Sequence, residues 1–210
     1  MNQRSYEWKS KFDRIDKYLT NALRLHSGDT FDHSERVERY CNEIICCSGL
    51  NVYSPMNEPQ KYIVKEVARL HDIGKIIIPS SWIDNDGPLN PFQHAWIKTH
   101  SFVGYLIVIS FGYMLSRDLN FMNDMVLPIA RGVLYSHETY EGKGYPRRLK
   151  GEEIPIEARI VRVADDYDAS VTRKNMLDRT KALEGLKSAS GTRLDPRIVQ
   201  LVFDNDLFTT

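Results

Sequence analysis

Cysteine, excess charge and long apolar runs are all scarce in this chain, and each scarcity closes off a class of protein. Its 210 residues include three cysteines, Cys41, Cys46 and Cys47. An odd number with two adjacent is a poor disulfide framework and lacks zinc-ribbon spacing. They are expected to be reduced thiols packed on a helix, which favours the cytoplasm. Basic and acidic residues number 28 each, so the formal net charge is zero. No general binder of nucleic acid or anionic membrane is indicated, and any anionic ligand must be held by a local site. The N-terminus, Met1 to Lys11, is polar and charged, unlike a secretory signal. The most apolar stretch, Phe102 to Leu115, is too short to span a bilayer comfortably and reads as a buried helix. A soluble protein is expected, with neither DNA nor membrane as a partner.

What is present is helical rhythm. Tyr6, Phe12, Ile15, Leu19, Leu23 and Leu25 recur at roughly helical spacing until Ser27-Gly28 breaks it. A second helix is expected from Asp29-Thr30, either of which can cap it, through Val37, Cys41 and Ile44. A third carries Val64, Val67, Ala68 and Leu70 into His71, and helices are expected over Phe92 to Leu115 and Asn123 to Ser136. Glu141 to Pro155 is a structured loop, Ile156 to Ala169 returns to helical spacing, and Asp195-Pro196 opens a last short helix. Alternating strands and internal repeats are not evident. The fold class is therefore all-α, one helical bundle, with residues 1–28 as a leading helix and 29–210 as the domain proper.

The most telling stretch is His71-Asp72-Ile73-Gly74-Lys75. It offers a metal a neutral nitrogen and an anionic oxygen from one short piece of backbone. On a helix, Lys75 would project from the same face as His71, and a metal beside a cation suits phosphate cleavage. Further candidate ligands follow at wide spacings: His33, His100, His137 and Asp165. They converge only if a bundle turns them all inward. Mixed carboxylate and imidazole donors suit iron, manganese, zinc or nickel, and Asp72 can bridge two ions through its two oxygens. A water held between two ions becomes a nucleophile near neutral pH. The blander readings are a hydrogen-bonded histidine for His26 and His94, an N-cap for Asp29, and solvated carboxylates for Asp165 and Asp168. Val161, Val163 and Ala164 set Asp165 beside an apolar stripe and argue against the last.

With these residues in view, the chain resembles the HD-GYP family, the bacterial branch of the HD-domain metal-dependent phosphohydrolases. The resemblance spans roughly Asp29 to Phe203. It rests on His33-x-x-Arg36-Val37, the His71–Lys75 block with Pro79, His100, His137-Glu138, Gly142-x-Gly144-Tyr145-Pro146 and Leu149 to Pro155. Ala158-Arg159-Ile160, Ala164-Asp165 and Asp195-Pro196 complete it. Members of that family hydrolyse cyclic dinucleotides, chiefly cyclic di-GMP, at a centre of two or three metal ions. The resemblance implies that His33, His71, Asp72, His100, His137 and Asp165 are ligands to divalent ions, two in number, iron or manganese first. It implies that Lys75 holds a phosphate oxygen, and that Gly144, Tyr145 and Pro146 form a rigid loop shaping substrate binding and, in some members, contacts with a signalling protein.

Four departures distinguish this chain from the family pattern. Ser136-His137 stands where paired histidines are usual, and neutral serine is a poor ligand, so the second metal position is degenerate. Thr139 and Glu141 replace a basic residue and an aspartate. Thr172-Arg173-Lys174-Asn175-Met176 stands in place of Arg-Pro-Tyr, leaving Arg173 or Lys174 to meet a phosphate. Asp29 occupies the place of a glutamate that goes with a third ion, one methylene shorter.

Three functions follow. The leading expectation is a phosphodiesterase opening a cyclic dinucleotide by attack of metal-bound hydroxide, with Asp72 orienting the nucleophile and Lys75 stabilising charge on the phosphate. The alternative is a catalytically weakened signalling module that binds nucleotide or protein without efficient turnover. A phosphohydrolase acting on a mononucleotide or another phosphoester is the third. The leading helix either packs on the bundle or pairs with another chain as a homodimer.

Overall fold

Ser27 divides the first two helices. Its backbone is extended (φ −150°, ψ 106°) and its hydroxyl oxygen accepts the N–H of Thr30 at 3.2 Å, which satisfies an N–H with no partner inside the helix. The cap therefore falls on Ser27 rather than on Asp29 or Thr30. Asp29 sits exposed in the first turn. The computed structural model describes residues 3–47, 56–83, 87–172 and 177–208.

Around that break run α1 (Gln3–His26) and α2 (Gly28–Cys46), followed by α3 (Glu58–Leu70). An Asn57–Gln60 capping box and a first-turn proline start α3. A 3-10 turn, Ile73–Ile77, leads to the short α4 (Ser80–Ile83) and α5 (Pro91–Ile97). The expected single helix from Phe92 to Leu115 is instead two. Thr99 directs both its N–H (3.0 Å) and its hydroxyl (2.7 Å) to the Trp96 carbonyl, closing α5 in a tight turn before α6 (His100–Leu115).

Next come α7 (Leu119–Phe121), a π turn over Met122–Val126 and α8 (Leu127–Tyr135), running without interruption. Pro128, which lacks an N–H, lies just beyond the wide turn. A long loop reaches α9 (Ile156–Thr172), then α10 (Arg179–Ala189) and α11 (Pro196–Asp204), the last capped by Asp195 as its Asp-Pro start implied. Among the described residues there is no β-strand, only an isolated bridge between Ser190 and Leu194. The chain is all-α.

The core gathers around α3, which packs against α1, α2, α8 and α9. Phe12, Ile15 and Leu23 of α1 are fully buried with Val37, Ile44, Val64, Val67, Leu70, Val133 and Ile160. Burial of each such side chain contributes about 1.5–3 kcal/mol. The leading helix is thus part of the bundle's core.

Helix α6 was expected to be buried throughout, yet only one stripe of it is. His100, Gly104, Val108 and Gly112, spaced four apart, face inward, while Phe102, Leu106, Tyr113 and Met114 are exposed. The small inward residues allow close approach. A Cβ on Gly104 or Gly112 would press on Val133 or Val126. No helix among the described residues is long and apolar enough to cross a membrane.

Candidate metal centre

Three of the six expected ligands lie just beyond helix ends rather than within helices. Helix α3 stops at Leu70, His71 is its C-cap, and Asp72 precedes the 3-10 turn. His137 follows Ser136, the C-cap of α8, and His100 opens α6. His33 on α2 and Asp165 on α9 sit in helix interiors. Lys75 therefore does not share a helical face with His71. A 3-10 turn aligns residues three apart, and the Lys75 ammonium reaches Asp72 Oδ2 at 2.5 Å. One of its three N–H donors is engaged there, leaving others for a phosphate oxygen.

Gly74 makes this approach possible. A Cβ at that position would overlap the carbonyl oxygen of His100 and the amide of Gly104. Glycine lets the 3-10 turn lie directly on α6, bringing Asp72 to His100.

All six side chains meet in one place, as two groups. His33, His71 and Asp165 present ligand atoms within 4.8 Å of one another, and so do Asp72, His100 and His137. Asp72 joins the groups through its two oxygens. Oδ2 lies 3.5 Å from His71 Nε2 and 3.9 Å from His33 Nε2. Oδ1 lies 3.2 Å from His100 Nε2 and 3.8 Å from His137 Nε2. Asp165 Oδ1 lies 3.3 Å from His33 Nε2.

Outer partners set which ring nitrogen faces inward. His33 Nδ1 meets Asp168 Oδ2 at 2.7 Å, His71 Nδ1 meets the Ala68 carbonyl at 2.8 Å, and His100 Nδ1 meets the Ile97 carbonyl at 2.5 Å. An oxygen acceptor there puts the proton on Nδ1 and leaves the Nε2 lone pair directed inward, as metal ligation requires. His33 Nε2, His71 Nε2 and Asp72 Oδ1 are then buried without a hydrogen-bond partner. Such atoms are costly to bury unpaired. Acceptors facing one another across 3–4 Å fit a divalent cation held between them.

Local charge agrees with that fit. Burial works against ionisation of Asp72, but Lys75 and the neighbouring histidines hold its carboxyl well below the usual carboxylate range. Burial also opposes ionisation of Asp165, and His33 overrides it to the same effect. Burial pushes His71 down and His137 down to about 3, so both are neutral. Burial would lower His33 too, yet the carboxylates of Asp165 and Asp168 carry it up to about 9. A positive charge is wanted at that spot, and an ion would supply it in place of the proton.

Some of the machinery lay outside the expected ligand set. Asp168, expected as a solvated carboxylate, is fully buried and takes Arg36 Nε at 2.7 Å and Nη2 at 3.1 Å besides His33. Its signal was spacing: Asp168 is three residues past Asp165, and Arg36 three past His33. Ser136 turns its hydroxyl to the Val133 carbonyl at 3.0 Å. Asp29 belongs to neither group of ligands.

The loop after α8 is pinned beside the centre. Tyr145 stacks on His137 (ring centroids 5.1 Å apart, planes at 16°) and Glu138 Oε1 accepts the Arg147 N–H at 2.7 Å. A Cβ on Gly144 would overlap the backbone of Glu138 and Thr139, and the Tyr145–Pro146 peptide bond is cis. Pro146 is exposed. Arg173 lies outside the described residues.

The family model for the HD domain matches residues 17–198. The chain belongs to the HD-domain family. A cyclic di-GMP phosphodiesterase from Thermotoga maritima is 35% identical over 198 residues, covering 92% of this chain and 49% of that protein. A 3'3'-cGAMP-specific phosphodiesterase from Vibrio cholerae is 30% identical over 191 residues, covering 89% of this chain and 33% of that protein. The chain thus spans between a third and a half of the length of these curated relatives. Its fold matches that of the HD domain of the L. monocytogenes phosphodiesterase PgpH, in complex with cyclic-di-AMP, at a TM-score of 0.57 and 17% identity. That match covers 89% of this chain and 93% of the other. The HD-GYP resemblance read from the motifs agrees with this placement.

Proposed function

We propose that this HD domain is a metal-dependent phosphodiesterase acting on a cyclic dinucleotide, with cyclic di-GMP as the leading substrate and the mixed GMP–AMP ring as the next. The observation that carries the reading is Asp72. One carboxylate offers an oxygen to each of two histidine-containing groups, one of which also contains Asp165. The relatives named above act on cyclic dinucleotides, which supports the substrate class.

In this reading His33, His71, Asp72 and Asp165 hold a first divalent ion, and Asp72, His100 and His137 form a second position. Iron or manganese suits this donor set. A bound divalent ion supplies the acidified water and the charge neutralisation that phosphodiester cleavage needs. The chain's own residues do the rest. Lys75 donates to a non-bridging phosphate oxygen while its contact with Asp72 holds the carboxylate in place. Tyr145, stacked on His137 and half-buried, walls one side of the centre against water. Gly144 and Pro146 shape the loop that carries it.

The test is hydrolysis of cyclic di-GMP and 3'3'-cGAMP by protein prepared without oxygen and loaded with iron or manganese. Turnover is expected and should vanish in Asp72→Ala. Loaded protein that cleaves neither ring would refute the assignment.

A second reading is a signalling module that binds a cyclic dinucleotide or a partner protein with little turnover. Ser136 favours it, because its hydroxyl is committed to Val133 and adds nothing to the second position. Retained nucleotide binding at one ion or none per chain, without turnover, would favour this reading over the first.

A further inference from the structure

His137 differs from the other three histidines of the centre in what faces its outer nitrogen. His33, His71 and His100 each turn Nδ1 to an oxygen acceptor. His137 Nδ1 instead faces Arg162 Nη1 at 3.4 Å. A guanidinium has donors and no acceptor, so Nδ1 must be the nitrogen with the lone pair. A neutral His137 then carries its proton on Nε2.

The contacts of His137 and His100 with each other and with Ile97 agree with that assignment. His137 Nε2 lies 2.8 Å from His100 Nε2. The proton of His100 is on Nδ1, held by the Ile97 carbonyl, so its Nε2 accepts. The hydrogen bonds run in one direction, from Arg162 through His137 and His100 to Ile97. Each of the three hydrogen bonds in this series pairs one donor with one acceptor.

Arg162 is anchored where it stands. Its Nη2 lies 3.1 Å from Asp166 Oδ1, a carboxylate also held by Arg193 at 2.9 Å. Its Nη1 lies 3.7 Å from Asp165 Oδ2. The His137 ring is likewise held, stacked on Tyr145.

Ligation of a metal through His137 Nε2 requires the proton to sit on Nδ1. There it would point at the guanidinium, donor against donor. We propose that Arg162 is a positioning residue that holds His137 in the tautomer unable to ligate. The centre then keeps one tight divalent ion at His33, His71, Asp72 and Asp165, and takes a second only weakly at Asp72, His100 and His137. This deepens the proposed function and rests on its assignment of divalent ions to the two groups.

Titration of metal-free protein with manganese(II), followed by calorimetry and by the EPR signal of unbound ion, tests it. Wild-type protein should take up one ion tightly and a second at least about 10-fold more weakly. Arg162→Gln keeps the length and can turn a carbonyl oxygen toward a protonated Nδ1. It should tighten the second ion by about 10- to 100-fold, the scale of changes in a ligand's outer partner, and alter the first, whose ligand Asp165 lies 3.7 Å from the guanidinium, by much less. Arg162→Lys keeps only donors at that position and should behave as wild type. Nitrogen-15 NMR of the metal-free protein should show the His137 proton on Nε2.

Two ions of equal affinity in wild type, a His137 proton on Nδ1, or an unaltered second affinity in Arg162→Gln would each overturn the proposal. An Arg162→Gln chain that also loses the first ion has been damaged more broadly, which counts against a role confined to His137. The two readings fail separately. One tight ion without cleavage of any cyclic dinucleotide refutes the catalytic assignment and leaves the role of Arg162 standing. Uptake of no ion at either position refutes both.

Discussion

Asp168 Oδ2 sits 2.7 Å from His33 Nδ1, while Arg36 braces the same carboxylate from the other side at 2.7 and 3.1 Å. The pair fixes the His33 ring so that Nε2 faces Asp165 and Asp72. Asp168→Ala should therefore weaken the first metal position by about 10- to 100-fold without removing any ligand. Metal content after dialysis against a weak chelator measures this. Unchanged retention would show that Asp168 serves only Arg36.

Filling the first position should stabilise the fold, because buried His33 Nε2, His71 Nε2 and Asp72 Oδ1 have no other partner. At a free ion concentration 100 times the dissociation constant the gain is about 2.7 kcal/mol. For a chain of this size that corresponds to roughly 5–10 °C in melting temperature. Thermal melts with manganese and then with excess EDTA should differ by that margin. Coincident melts would count against a buried ion.

Gly74→Ala should be more damaging than a surface glycine substitution. The added methyl meets the His100 carbonyl, which is backbone and has little freedom to yield. A loss of about 2–3 kcal/mol is expected from forced separation of the 3-10 turn and α6. Asp72 would move away from His100 as a result. Urea denaturation should show the lost stability, and metal titration the weaker second position. Wild-type stability in this variant would contradict the close approach.

Glu66 supplies a pH dependence away from the centre. Burial, reinforced by Asp16 and Asp13 and only partly offset by Arg69 and Tyr62, pushes its carboxyl well above its ordinary 4.5. Because the folded state holds that proton more tightly than the unfolded one, Glu66 costs stability as pH rises above about 4.5. Below that pH the penalty disappears. Glu66→Gln should accordingly be more stable than wild type at neutral pH, with the gap closing as pH falls toward 4. Melts at a series of pH values check the sign. A gap that widens on acidification would place the charge elsewhere.

Much of the centre was legible one residue at a time. Histidine and aspartate beside glycine and lysine are an unusual chemical combination, and helical periodicity is a local property that survives without knowledge of the fold. The helix ends were less accessible. Asp29 and Ser27 are both good caps by type, and choosing between them depends on which backbone turns first. Thr99 splits one expected helix into two through a hydroxyl bond that no apolar pattern reveals. Asp168 looked like a solvated carboxylate because the arginine and histidine that bury it lie more than a hundred residues earlier in the chain.

The sequence alone determined the all-α class and the identity of the candidate ligands, since periodic burial and donor chemistry are written in residue types. Only the tertiary structure decided which Asp72 oxygen faces which group, and that a guanidinium from α9 lies against His137. Those relationships depend on distances between helices, set by how closely glycine lets backbones approach and by where long side chains find room. No local pattern encodes them.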